Sequence, residues 1–148
     1  MLSATSEYAL QAMVSLARHA GGSATPSRRI ARETRIPQKY LSKILADLVR
    51  AGLLEGSRGR GGGFRMVRPA HQIRLAEVVA PFEPISSRAR CPLGHMACTD
   101  LDPCGAHDRW KLVGEAYDRF LQETSVHDVV TRERELCTPA RRGASKKR

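Results

Sequence analysis

Three of the chain's four cysteines and one histidine fall within "CPLGHMACTDLDPCGAHDRW", residues 91–110. Six residues separate Cys91 from Cys98, five separate Cys98 from Cys104, and two separate Cys104 from His107. Thiolates are soft donors suited to iron–sulfur clusters or zinc, and imidazole suits both. Gaps of five and six residues are wider than the paired Cys-x-x-Cys knuckles of structural zinc sites. They suit a loop that wraps a larger inorganic core. Elsewhere in the segment, His95 reads as an exposed mid-loop residue, and Asp100 and Asp102 read as turn residues. Cys137 stands outside the constellation and reads as a free thiol.

The segment "MLSATSEYALQAMVSLARHAG" has no basic n-region, and Glu7 interrupts it, so it reads as a helix rather than a secretory leader. No apolar run approaches the ~20 residues of a membrane span. The expectation is a cytoplasmic protein without membrane contact. There thiols stay reduced, and clustered cysteines more often hold metal or do redox chemistry than form disulfides.

Charge points to the partner. The formal net charge is +10, and residues 23–68 hold 11 Lys/Arg against 3 Asp/Glu. The last eight residues, "RRGASKKR", add a further +5. Excess positive charge concentrated in one segment favours a polyanionic partner, nucleic acid above all, and the helix-turn-helix read below makes double-stranded DNA the expected one.

The elements that must position these groups follow from periodicity. Residues 5–20 place Tyr8, Ala12, Met13, Leu16, Ala17 and Ala20 at mostly helical spacing. Thr25 and Pro26 then set up a second helix, with Thr25 as cap and Pro26 at its first position. In "IPQKYLSKILADLVRAG", Leu41, Ile44, Leu45 and Leu48 form an i, i+3, i+4, i+7 stripe that Gly52 closes. Gln38, Lys39, Ser42 and Lys43 lie on the opposite face, which describes a helix-turn-helix. "GLLEGSRGRGGGFRMVRP" reads as a β-hairpin with a glycine-rich tip. No Lys-Ser/Thr follows the glycines and the next element is a strand, which argues against a P-loop. A basic hairpin directly after a helix-turn-helix is a wing, and Arg58 or Arg60 can enter a minor groove. "IRLAEVVAPFEP" reads as a short helix. From about 106 to 122 a longer helix presents Trp110, Val113, Ala116, Tyr117, Phe120 and Leu121. That apolar face suits homodimerisation, since a two-fold protein reading two half-sites is the usual arrangement.

The series "SEYALQAM", "RRIARETRIPQKYLSKILADLVRAGLL", "SRGRGGGFRMVRP", a three-cysteine loop and a long helix closely resembles the Rrf-two family of bacterial transcription regulators. The resemblance covers about residues 3–128, with "IPQKYLSKIL" and "RGRGGGFRM" its most specific pieces. It implies a dimeric winged-helix repressor. Many members hold an iron–sulfur cluster on the loop before the dimerisation helix and sense cluster status, redox stress or nitric oxide; others lack the cysteines. Cys91, Cys98 and Cys104 match the family's cluster ligands, with one extra residue between the first two, and His107 matches a fourth position. Some members complete the cluster with an acidic residue near the N-terminus of the partner subunit, and Glu7 stands at that place. His107 ranks ahead of Glu7.

The expected fold is mainly α with a small β-hairpin wing, a winged helix-turn-helix plus a long C-terminal dimerisation helix. The expected division is a DNA-binding domain over 1–83, a cluster loop over 84–105, a dimerisation helix over 106–128 and a basic, disordered tail over 129–148. DNA contacts are expected from Arg28 and Arg29 to phosphates, from Gln38, Lys39, Ser42 and Lys43 in the major groove, and from Arg58 and Arg60 at the wing. No enzyme activity and no small organic substrate are expected. The alternatives are a zinc-binding or thiol-switch regulator of the same fold, and an iron–sulfur electron-transfer protein. The latter would leave the basic helix-turn-helix without a role.

Overall fold

A computed structural model of the chain describes residues 2–19, 24–59, 61–83, 100, 101 and 103–137. Helix α1 spans Ala4–Arg18 and starts at Ser3, whose side chain accepts from the Ser6 backbone N–H. Ala9, Ala12, Met13 and Leu16 make its buried stripe. Helix α2, Ser27–Thr34, buries Ile30 alone. Arg35, in the left-handed conformation at φ 58°, then turns the chain. Helix α3, Gln38–Arg50, follows, and Leu41, Ile44, Leu45 and Leu48 are its buried residues. Gly52, at φ 72°, ends it in the conformation that favours glycine after a helix.

Strands β1, Leu54–Ser57, and β2, Gly63–Met66, pair antiparallel with Leu54 opposite Met66 and Ser57 opposite Gly63. Thr25 adds a third short rung by exchanging backbone hydrogen bonds of 2.9 Å with Phe64 in both directions. The expectation that Thr25 caps α2 is therefore corrected. Its backbone belongs to the sheet, and Pro26 occupies the cap position without a side-chain hydrogen bond. Gly63 permits this junction: a Cβ there would lie 2.4 Å from the Thr25 carbonyl oxygen.

A 3-10 turn at Ala70–Gln72 leads to the short helix α4, Leu75–Val79, which packs against α1. Helix α5 spans His107–Glu123. It matches the helix expected from about 106 to 122, and a further helix, α6, runs over Val126–Cys137 where the sequence suggested the end of the dimerisation segment and a disordered tail from 129. Val126 and Val130 are buried in it, and α6 packs on α1. Cys137, expected in that tail, is the last residue of α6. The joint between α5 and α6 is stitched to the strand-like segment before α4 by Leu75 N to Thr124 O at 3.0 Å and Val126 N to Ile73 O at 2.9 Å. One aliphatic core thus runs from α1 through the helix-turn-helix to Leu121 and Val126. The fold is a winged helix-turn-helix, mainly α with a two-stranded wing, followed by a long helix.

Candidate nucleic-acid interface and metal centre

Helix α3 turns its leucine-isoleucine stripe inward because that face is wholly apolar, and Gln38, Lys39, Ser42 and Lys43 are left exposed on the other. The Ser42 hydroxyl donates to the Gln38 carbonyl at 2.9 Å, and the Gln38 amide donates to the Ser27 hydroxyl at 3.4 Å. On α2, Arg28, Arg29 and Arg32 line one shallow depression with Pro26. Arg28 and Arg29 are both exposed but differ in setting. Arg29 Nε donates to Glu33 at 3.0 Å and its Nη2 donates to His19 Nδ1 at 3.2 Å, while His19 Nε2 lies 2.8 Å from Glu33. The Ser15 hydroxyl completes the cluster, donating to Glu33 at 2.7 Å. Burial alone would raise the Glu33 pKa, but the hydrogen bonds from Ser15, His19 and Arg29 outweigh it and lower the carboxyl from 4.5 to about 2. The guanidinium of Arg29 is thereby held in one orientation against the end of α1.

On the wing, Arg58 is exposed and stands just before Gly59, at φ 94°. Arg60 lies outside the described residues. Arg65, across the hairpin, is paired with Glu55 at 2.5 Å. Arg28, α3 and Arg58 thus sit on the successive elements α2, α3 and the wing, each with exposed cationic or hydrogen-bonding side chains.

The candidate metal ligands are only partly in view. Cys91 and Cys98 lie outside the described residues, as do His95 and Asp102. Cys104 is a half-buried free thiol. Its carbonyl accepts from the His107 backbone N–H at 2.9 Å, so Cys104 lies in the turn that leads into α5 and His107 is the helix's first residue. His107 is 6% exposed. Its Nε2 lies 2.8 Å from Asp100, which also receives Lys111 at 3.0 Å. The bond from His107, then that from Lys111, holds the Asp100 carboxyl below the usual range, and Asp100 in turn raises the Lys111 pKa. Asp100, expected only as a turn residue, is therefore also the partner of the candidate imidazole ligand. Its spacing of seven residues from His107 carries no sequence signal for that contact. Glu7 is an exposed residue in the first turn of α1. Among the described residues, no group of three or more His, Cys, Asp or Glu side chains converges on a common point.

The apolar stripe of α5 divides. Leu121 is buried and Tyr117 packs against the core of its own chain. Leu112, Val113 and Phe120 face outward, 66%, 53% and 53% exposed. No helix among the described residues is long and apolar enough to cross a membrane.

Comparison with known proteins gives a consistent picture. A family model described as Rrf2, iron-dependent transcriptional regulator, matches residues 2–132. The transcriptional regulator IscR of Xenorhabdus nematophila is 29% identical over 147 residues, covering 99% of this chain and 89% of that protein. The structure of T. potens IscR superposes with a TM-score of 0.74 at 23% identity, over 93% of this chain and 90% of that one. CymR, the global cysteine regulator of B. subtilis, superposes at 0.75 with 22% identity, over 89% and 97%. The likeness to these two structures is one of fold.

Proposed function

The chain belongs to the Rrf2 family of DNA-binding transcriptional regulators, and on that premise we propose that it is a homodimeric, cytoplasmic repressor governed by an iron–sulfur cluster. The thiolates of Cys91, Cys98 and Cys104 and the imidazole of His107 are the proposed ligands, with Glu7 of a second copy as the alternative fourth. One observation supports this reading above the others. A half-buried, free Cys104 lies in the turn that leads into a buried His107, the first residue of a helix with Leu112, Val113 and Phe120 facing outward. The donor set fits the group: soft thiolates plus one borderline imidazole.

When bound, such a cluster supplies a centre that oxidants and nitric oxide can alter or remove. The chain's own residues do the rest. Asp100 fixes the ring of His107, as a carboxylate beyond the ligand shell commonly does for a metal-bound histidine. With Nε2 engaged by Asp100 at 2.8 Å, metal coordination through that nitrogen would require Asp100 to let go. The outward residues Leu112, Val113 and Phe120 are the proposed contact with a second copy, which places two α3 helices for two half-sites of DNA. Arg28, Arg29 and Arg58 contact phosphates or the minor groove, while Gln38, Lys39, Ser42 and Lys43 face the base edges. Arg60 is proposed as a second wing contact.

Anaerobic purification tests the reading. The expected product is brown, contains iron and acid-labile sulfide, and has the native mass of a dimer. A colourless protein with stoichiometric zinc would replace the cluster with the zinc alternative, and a colourless, metal-free protein would leave only the thiol switch.

A further inference from the structure

We propose that Glu83 is a positioning residue that couples the cysteine segment to the DNA-reading helix through the first turn of α1. The inference rests on the reading above for the roles of α3 and of the cysteines. Its geometry stands on described residues alone.

Glu83 follows α4, and its backbone N–H is held on the Val79 carbonyl at 3.1 Å. Its side chain leaves α4 and reaches the start of α1. There Oε1 accepts from the Ser3 backbone N–H at 2.8 Å and from the Ser6 hydroxyl at 2.5 Å. Ser6 is fully buried. Ser3 is itself the α1 cap, accepting from the Ser6 backbone N–H at 3.2 Å. A carboxylate therefore sits at the positive end of α1 and satisfies a buried hydroxyl together with a backbone N–H at the helix entry.

The same turn of α1 also grips α3. Between Ser3 and Ser6 lies Thr5, whose hydroxyl hydrogen-bonds the Tyr40 phenol at 2.5 Å. Tyr8, one turn on from Ala4, meets the Tyr40 ring edge-on, with centroids 5.7 Å apart and planes at 82°. Tyr40 belongs to the first turn of α3, with Gln38 and Lys39, and is 39% exposed. One helical turn is thus fastened on one side by Glu83, eight residues before Cys91 in sequence, and on the other by the start of α3. The coupling requires that this turn have two states, capped and frayed. A pull on the chain at residue 84 acts first on Glu83. Releasing the carboxylate loosens the turn that holds Thr5 and Tyr8 against Tyr40. A connected chain of contacts is only a candidate route, and coupling has to be measured.

The test compares full-length wild type with Glu83→Ala, Glu83→Gln and Thr5→Val. The first readout is amide hydrogen exchange in the cluster-free protein at residues 41–45 of α3. Glu83→Ala and Thr5→Val are expected to speed exchange there. Glu83→Gln, which keeps an acceptor oxygen, is expected to restore protection. The second readout is the ratio of DNA affinities with and without the cluster, expected to shift toward unity by roughly 2- to 30-fold in Glu83→Ala and Thr5→Val. If Glu83→Ala loosens only α1, leaving exchange at residues 41–45 at the wild-type rate, Glu83 is a local cap and the proposal is overturned. A full affinity ratio in a brown Glu83→Ala protein overturns it equally. A wild type with no chromophore would instead strike the cluster reading, and the exchange measurement would still decide the role of Glu83.

Discussion

Single side chains define both proposed activities. At the cysteine end, Cys104 and Cys137 make the sharpest contrast: the first shares a helix start with His107, and the second ends α6. Replacing Cys104 with Ser is expected to abolish the visible chromophore of anaerobically prepared protein, whereas Cys137→Ser is expected to leave the spectrum unchanged. Loss of colour in both would separate the cluster from the proposed ligands. At the DNA end, Ser42 donates its proton to the Gln38 carbonyl, which leaves its lone pairs to accept. It therefore suits a base that presents an amino group in the major groove, adenine or cytosine. Ser42→Ala is expected to relax selection at one position of a duplex enriched from a random pool, with little change in overall affinity. Arg58→Ala is expected to weaken binding to all duplexes alike and to flatten the salt dependence by about 0.9 in log–log slope. The residue types and spacings point to the proposed ligands, and they made the exposed cationic face legible. They did not show Asp100 beside His107, because that contact depends on where the turn before α5 folds back.

At the level of elements, the wing and the α1–α2 corner carry the clearest expectations. Gly63 lies where β2 crosses the strand-like Thr25, and any Cβ would meet that backbone at 2.4 Å. Gly63→Ala is expected to lower stability by about 1–3 kcal/mol, as overpacking of a fixed site does, read as a reduced midpoint in urea. At the corner, Glu33 has its pKa depressed to about 2 from 4.5. A depressed carboxyl contributes stability that is complete above the unfolded value and is lost as pH falls through the folded one. Wild-type thermal stability should therefore decline between about pH 4.5 and 2, and Glu33→Gln should flatten the curve in that window. An unchanged acid profile in Glu33→Gln would show that the cluster with Ser15, His19 and Arg29 is not an acid-sensitive tie. The helices with full apolar stripes, α1 and α3, were legible from periodicity. Helix α6 was not, since its short valine stripe is followed by a charged run. Its start did leave a signal: Ser125 and Asp128 form a reciprocal cap, with the Ser125 N–H donating to Asp128 at 2.8 Å and the Asp128 N–H donating to Ser125 at 3.2 Å. Thr25 misled for a related reason. A residue suited to capping was used by the sheet instead, and that depends on where the wing lands.

For the molecule as a whole, the basic helix-turn-helix and wing form one end, and α4, α5 and α6 close the core behind α1. Residues 84–99 join these parts in sequence, running from Glu83 at the start of α1 toward Asp100 at the start of α5. A cluster formed on those cysteines would bear on both ends of the segment at once. That is the physical basis for proposing that cluster status changes DNA affinity, since a ligand shifts a conformational balance only by its differential affinity for the two states. The direct test uses a duplex enriched from a random library by the full-length protein. Its affinity is measured anaerobically by fluorescence anisotropy for the cluster-loaded protein and for the same preparation after chelation. The expected result is a difference of roughly 5- to 150-fold between the two forms, absent in Cys104→Ser. Equal affinity of the loaded and stripped wild type, with both forms folded, would contradict the account.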